Sequence, residues 1–399
     1  MSKPKSRFAG FTSDWKAIPL GDFAEKVTDK NTYGEVSEVF TNSASLGIIS
    51  QRDYFNHDIA QKGKTRGYTI VDNDDFVYNP RVSVTAPVGP ISRNRLGRTG
   101  VMSPLYTVFR TAGINKQFLE HYFKTSCWHK FMRFNGNTGA RFDRFSITQK
   151  DFFSMPIPCP SKEEQSMVAS FMESFVSHID NLKDKIISLK SLKLCYLSRL
   201  FPIGGGYEPS IRLSGFTGEW IERTLGECFD ERVERSSEGE LLSVTIADGI
   251  KKFSELNRHD SSSADKSNYK VVRKGDIVYN SMRMWQGASG CSDYDGIVSP
   301  AYTVLVPKEG IDPHFFAYYF KNTEVIHKFR INSQGLTSDT WNLKYPAFSK
   351  IKIRYPKDTE EQKQIARFFA EMNKMITLHS EELDKFKSLK SSYLEGMFV

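Results

Sequence analysis

The tightest constraint on this chain is that it says nearly the same thing twice. Residues 10–15 read GFTSDW and residues 215–220 read GFTGEW, an offset of 205. At that offset Arg7, Gly10, Phe11, Thr12, Trp15, Leu20 and Gly21 meet Arg212, Gly215, Phe216, Thr217, Trp220, Leu225 and Gly226. DFVYN (Asp75 to Asn79) returns as DIVYN (Asp276 to Asn280), and MSPLYTV (Met102 to Val108) returns as VSPAYTV (Val298 to Val304). Glu163-Glu164-Gln165 returns as Glu360-Glu361-Gln362, where the offset has settled at 197. The order is kept throughout, so the chain is two diverged copies of a unit of about 200 residues, each long enough for its own core.

Each unit divides in two. Short β-rich runs such as YTIV (Tyr68 to Val71) and LYTVF (Leu105 to Phe109), punctuated by Gly, Pro and Asn, predict an α+β domain over 1–158 and its copy over 203–355. After Pro156, Pro158 and Pro160 the pattern changes. Ser161 is placed to cap a helix with Glu164 as its capping-box partner, and Asp358 with Glu361 repeats the signal after Pro356. Val168, Phe171, Phe175, Ile179, Leu182, Ile186 and Leu189 then step by three and four residues, a coiled-coil stripe within 159–202. Ile365, Phe368, Met372, Ile376, Leu383 and Phe386 form the second stripe within 356–399, with His379 standing where Leu182 would be.

A helix of about 39 residues rises about 58 Å at ~1.5 Å per residue. The first helix therefore carries the chain from one domain to the other, and the second must run back to bury its stripe on the first. The expected architecture is two similar α+β domains joined by an antiparallel helix pair, with approximate two-fold symmetry inside one polypeptide. Two amphipathic helices each lying on its own domain is the other arrangement the stripes allow.

Net charge is +8. Residues 1–160 hold 22 basic against 14 acidic side chains, whereas residues 201–357 hold 21 against 20. Residues 81–144 carry eleven of the basic ones (Arg81, Arg93, Arg95, Arg98, Arg110, Lys116, Lys124, Lys130, Arg133, Arg141 and Arg144) against only Glu120 and Asp143. A polyanion suits such a segment, and a solvated basic face is the plainer reading. Mean hydropathy is −0.44, and no stretch approaches the roughly 18 apolar residues of a membrane span, so a cytoplasmic location is expected. Five scattered cysteines without a C-x-x-C pair suggest neither zinc nor a disulfide framework.

Over its full length the chain resembles the specificity subunit of a type I restriction-modification system. The resemblance rests on the two-unit organisation, the paired G-F-x-x-x-W and L-G starts, and the proline-rich helix entries PIPCPSKEEQ and IRYPKDTEEQ. It implies two target recognition domains, each reading half of a bipartite site on double-stranded DNA, and helices that act as a ruler. It also implies partners: two methyltransferase subunits that bind S-adenosylmethionine, and restriction and translocase subunits. No cofactor is expected in this chain. A stand-alone DNA-binding scaffold or regulator without an enzyme is the alternative. The adenine methyltransferase tetrapeptide [DNS]-P-P-[YFW] is missing, and the Walker-like DIAQKGKT (Asp58 to Thr65) has Asp58 where a phosphate loop needs glycine.

Three pairs of segments are candidate DNA contacts. The stretch Asn79 to Arg98, taken as one loop, offers Arg81, Arg93, Asn94, Arg95 and Arg98. Its counterpart Asn280 to Gly290 offers Arg283, Trp285 and Gln286, with Trp285 alternatively buried. The Gly- and Asn-rich stretches before the helices offer Asn137, Thr138, Arg141 and Arg144 in one copy, and Gln334, Thr337 and Ser338 in the other. Arginine pairs with guanine or phosphate, and amide side chains pair with adenine.

Overall fold

A computed structural model describes residues 4–55, 65–138, 143–204, 206–246, 249–256, 259, 262, 265–337 and 340–398. The Walker-like string lies outside these but for Thr65, as do Arg141 and Ser338. Packing divides the chain into two units, Met1–Leu182 with Glu382–Val399, and Lys183–Glu381. Each unit thus owns part of both long helices, a division that cuts across the linear one of 1–158, 159–202, 203–355 and 356–399.

In the first unit a four-stranded antiparallel sheet runs in the order Ala24–Lys26, Thr107–Thr111, Phe76–Tyr78, Ile91–Arg93. The central FVY run is buried at every position because the sheet is covered on both faces. Alternation then sorts the side chains. Phe76 and Tyr78 join a large core with Phe109, Phe118, Phe123 and Phe152, and Val77 joins a smaller one with Phe40, Val71, Met102 and Val108. Lys16–Pro19 pairs with Pro156–Cys159, tying the start of the domain to the entry of the helix.

The second unit repeats this plan. Its sheet runs Phe229–Glu231, Tyr302–Pro307, Ile277–Asn280, Ser289–Cys291, and Ile221–Thr224 pairs with Lys352–Tyr355. Ile277 and Tyr279 face one core and Val278 the other. The S-P-x-Y strings are turns, with Tyr106 N donating to Ser103 O and Tyr302 N to Ser299 O, both at 3.0 Å.

The long helices span Lys162–Arg199 and Thr359–Met397. In the first unit the Phe171 and Tyr393 rings meet at 5.0 Å and His178 Nε2 lies 3.3 Å from Glu382 Oε1. In the second, Lys193 Nζ donates to Asn373 Oδ1 at 2.7 Å and Tyr196 meets Phe368 at 4.8 Å. Partner numbers fall as positions rise, so the helices are antiparallel in both units. Phe175, Ile179, Leu182, Ile186, Ile365 and Met372 are buried, while Phe171, Leu189, Phe368, Ile376, Leu383 and Phe386 are half-buried. Val168 is buried where the domain core meets the end of the second helix, in one cluster with Met397 and Phe398.

The repeated motifs are fasteners. Glu164 accepts two bonds from Arg7, at 2.7 and 2.8 Å, and one from Trp15 Nε1 at 3.2 Å. Glu361 does the same for Arg212, at 2.8 Å twice. Gln165 Oε1 accepts from Asn115 N at 3.0 Å and Gln362 Oε1 from Asp312 N at 2.8 Å, so each Gln holds the helix after the sheet. This corrects the capping-box expectation. Ser161 Oγ does accept from Glu164 N, and Asp358 Oδ1 from Glu360 N, but the Glu164 and Glu361 carboxylates go to arginine instead.

Candidate nucleic-acid interface

The stretch Asn79 to Arg98 is not one loop. Strand Ile91–Arg93 pairs with Phe76–Tyr78 in the register Tyr78 with Ile91 and Phe76 with Arg93. Arg81 therefore leaves one end of the strand pair, and Asn94, Arg95 and Arg98 leave the other. The second group is committed internally. Arg93 donates to Asp74 at 2.7 Å and to Glu120 at 2.8 Å, and Arg95 donates to Glu120 at 2.7 Å and to Glu173 on the first long helix. Arg98 donates to Glu38 at 3.1 Å. Asn94 is 0% exposed, and its amide holds the Asp72 and Arg98 carbonyls. Burial pushes the Glu120 carboxyl up, but Lys124, Arg95 and Arg93 outweigh it and hold the group below its ordinary value. Asn94 and Arg93 thus present almost nothing to a DNA groove, and much of the basic excess of this segment is neutralised from elsewhere in the unit.

The other end differs. A tight turn links Ser83 and Ala86, and Gly89 at φ +82 closes the loop where any Cβ would strike the Asn79 carbonyl. Val82 N donates to Asp143 O at 3.1 Å and Phe145 N to Pro80 O at 2.7 Å, with a bridge between Arg81 and Arg144. Those two bonds flank the bridge, so Arg81 and Arg144 oppose each other as a non-hydrogen-bonded antiparallel pair, the closer kind, with side chains on one face. Both are exposed. The hairpin Gly136–Thr138 with Phe145–Ile147 continues from Arg144 and carries exposed Asn137 and Thr138.

The second unit joins the same two segments. Leu343 N donates to Ser281 O at 2.8 Å, the counterpart of the Phe145 bond, which sets Met282 and Asn342 where Arg81 and Arg144 stand. Gln334 bridges Asn342, and Gln334, Thr337, Arg283 and Gln286 are exposed. Trp285 is half-buried, its ring 5.2 Å from that of Trp341, over which the Arg330 guanidinium lies at 5.4 Å. Sequence reasoning missed Asn342, whose Oδ1 has no partner among the described residues, and Trp341. Aligning Phe145 on Leu343 would have set Asn342 opposite Arg144.

Like charges placed opposite one another weaken a strand pair, and the nearest carboxylate to this one among the described residues is Asp143, whose Oδ2 lies 3.8 Å from Arg144 Nε, so two exposed guanidinium groups remain that can pair with phosphate or a guanine edge. Among the described residues no cluster of His, Cys, Asp and Glu could hold a metal, and no helix is long and apolar enough to cross a membrane.

A family model for the type I restriction modification DNA specificity domain matches twice, over residues 12–191 and 219–388. Similar solved structures include the S subunit of a type I restriction-modification system from M. genitalium, with a TM-score of 0.57 at 14% identity over 100% of this chain and 99% of that one. A chain of a type I R-M system solved for its complex assembly and conformational transition gives 0.52 at 14% identity, over 98% of this chain and 99% of that one. At such identity these likenesses speak to the fold alone. The double family match covers most of the sequence, and the chain belongs to the type I restriction-modification DNA specificity family, the recognition component of such systems rather than the catalytic one.

Proposed function

We propose that each unit reads one half of a bipartite duplex site and that the chain directs two methyltransferase subunits to adenines in that site, and restriction and translocase subunits to unmodified DNA, in the cytoplasm. S-adenosylmethionine would be bound by the methyltransferase partner. The observation that carries this reading is the contrast between scaffold and edge. The Arg–Glu and Gln fasteners repeat in both units, with Trp15 Nε1 adding a bond to Glu164 in the first alone among the described residues, whereas the edge where two loops are pinned together holds Arg81 and Arg144 in the first unit and Met282, Gln334 and Asn342 in the second. Two copies of one frame with different polar groups at the same place are suited to reading two different half-sites. In the first, arginine favours guanine or phosphate. In the second, the exposed amide of Gln334 suits adenine, and the Trp285 and Trp341 rings offer apolar surface to a thymine methyl group.

The test is exchange of residues 1–158 for the matching domain of another family member, followed by mapping of methylated adenines in cells. One half of the methylated motif should change while the other stays. Change in both halves would mean that the units read DNA jointly, against this assignment.

A further inference from the structure

One exposed pair survives in both copies although its surroundings have diverged. Helix His129–Asn135 ends in Met-Arg-Phe-Asn, and helix Thr323–Asn332 ends in Phe-Arg-Ile-Asn, at the offset of 197. Two of these four positions explain themselves. Met132 and Phe329 are core, at 0% exposure. Asn135 Nδ2 donates to Phe131 O at 2.9 Å, and Asn332 Nδ2 to Lys328 O at 2.8 Å, so each Asn closes the last helical turn.

The two positions between them neither fill the core nor cap the helix. Phe134 is 88% exposed and Ile331 65% exposed. Arg133 and Arg330 are exposed too, and among the described residues neither has a carboxylate partner; Arg330 has only the Trp341 face. A single surface apolar residue needs no explanation. An arginine followed by a large apolar side chain, exposed at the same place in both units, needs one. Each pair also leads directly into the candidate interface. Gly136, two residues after Phe134, opens the hairpin whose other strand follows Arg144, and Gln334, three after Ile331, bridges Asn342.

We infer that Arg133–Phe134 and Arg330–Ile331 are a contact to the DNA backbone common to both half-sites, guanidinium on phosphate and apolar side chain against deoxyribose. This rests on the DNA-reading assignment above and deepens it. Groups that read different bases should differ between the units, as the hairpins do, while groups that grip the uniform backbone should repeat, as this pair does. The occupant is an anion rather than a protein because neither guanidinium has a carboxylate partner among the described residues, and because in the first unit the pair leads into the Arg81–Arg144 edge, where like charges already oppose each other.

The test uses the chain assembled with its methyltransferase subunits and two double variants, Arg133→Gln with Phe134→Ala, and Arg330→Gln with Ile331→Ala. Binding is measured by salt titration on the methylated target, on duplexes with either half-site scrambled, and on unrelated duplex. Each variant should weaken binding to all four by the same factor and lower the log–log salt slope by about 0.9, with the methylated motif unchanged. A loss confined to duplexes carrying one half-site would make these residues base readers and overturn the inference. Intact DNA affinity with loss of a methyltransferase subunit would make the pair a protein dock and also overturn it. Arg81→Ala and Arg144→Ala are run alongside. If these weaken binding and the double variants do not, this inference alone falls. If none of the variants weakens binding, the interface assignment falls with it. Exposure at all four positions means the variants should keep the parent's unfolding midpoint, which is read on the same samples.

Discussion

Arg81 and Arg144 face each other across one antiparallel bridge, held by the Val82 to Asp143 and Phe145 to Pro80 hydrogen bonds, with both side chains exposed on one face. Two guanidinium groups in that relation repel, and the exposed Asp143 carboxylate 3.8 Å from Arg144 Nε offsets this only weakly. Stability and function should therefore move in opposite directions. Arg144→Ala should stabilise the free protein by a few tenths to about 1 kcal/mol and weaken DNA binding. If Arg81 reads a base edge, Arg81→Ala should cost about 1 to 3 kcal/mol at one position of the target and little elsewhere. Thermal unfolding and competition binding on single-substitution duplexes read the two effects. Destabilisation by Arg144→Ala with unchanged binding would assign the pair to the scaffold.

Arg93 is the contrasting case. Its guanidinium is held between Asp74 and Glu120, and the Glu120 carboxylate is almost wholly buried. Arg93→Ala leaves that carboxylate one donor short, at a cost of about 1.5 to 3 kcal/mol of folding stability. The salt dependence of DNA binding should not change. A flatter slope at unchanged stability would return Arg93 to the DNA-binding face.

The pH dependence of the first unit follows from a buried pair. His121 is fully buried, with its Nε2 2.9 Å from Glu173 Oε1. Burial, with Lys124 adding to it, holds the His121 pKa below its ordinary 6.5 despite Glu173. The His121 hydrogen bond, with Arg95, holds the Glu173 carboxyl below its ordinary value against burial. Both folded-state values are depressed, so the unfolded chain binds more protons over the affected range. The stability these groups contribute is present above the unfolded values and is lost as pH falls, from His121 starting near 6.5 and from Glu173 further down. In the second unit the equivalent position is Tyr318, whose hydroxyl accepts from Asn373 at 3.0 Å and stays neutral through this range. Unfolding followed between about pH 7.5 and 5.5 should show loss of stability as pH falls, and His121→Gln should reduce it, the remainder coming from His129, which burial and Arg133 also hold below its ordinary value. An unchanged slope in that variant would locate the titration elsewhere.

Each unit receives the aromatic end of a long helix. Phe201 lies 4.8 Å from Tyr319 and 6.1 Å from Trp220, and Phe398 lies 5.2 Å from Phe118 and 6.5 Å from Trp15. The two pockets are the same pocket in the two copies. A fragment of residues 1–207 keeps the Trp15 and Phe118 pocket, loses Phe398 and carries Phe201 without its own pocket. Two fragments should exchange these ends and form a dimer of matching interfaces. Light scattering should give a dimer at micromolar concentration for the fragment and a monomer for its Phe201→Ala variant. A monomeric parent fragment would contradict the equivalence of the pockets.

The repeat, the helices and their entry points were legible in the sequence because they depend on local signals: periodic apolar residues, prolines and the EEQ strings. What those strings do was not legible. Glu164 looks like a capping residue until Arg7, 157 positions away, is folded against it. The stretch from Asn79 to Arg98 read as one basic loop because Ile91–Arg93 is too short to announce itself as a strand, and three residues of pairing suffice to send Arg81 and Arg95 to opposite ends of the sheet. Asn94 looked like a base-reading amide because no local pattern reveals burial in a loop. The Arg81–Arg144 pairing joins segments more than sixty residues apart, and only tertiary hydrogen bonds disclose it.

The most direct test of the whole account is to replace residues 79–90 and 136–147 of the first unit with the corresponding loops of another family member, leaving Arg93 to Arg98 and both long helices untouched, and to sequence the methylated adenines in cells carrying this chain with its partner subunits. The expected motif has one new half, with the other half and the spacing between them kept. An unchanged motif, or one altered in both halves, would show that the edge built around Arg81 and Arg144 does not read the DNA.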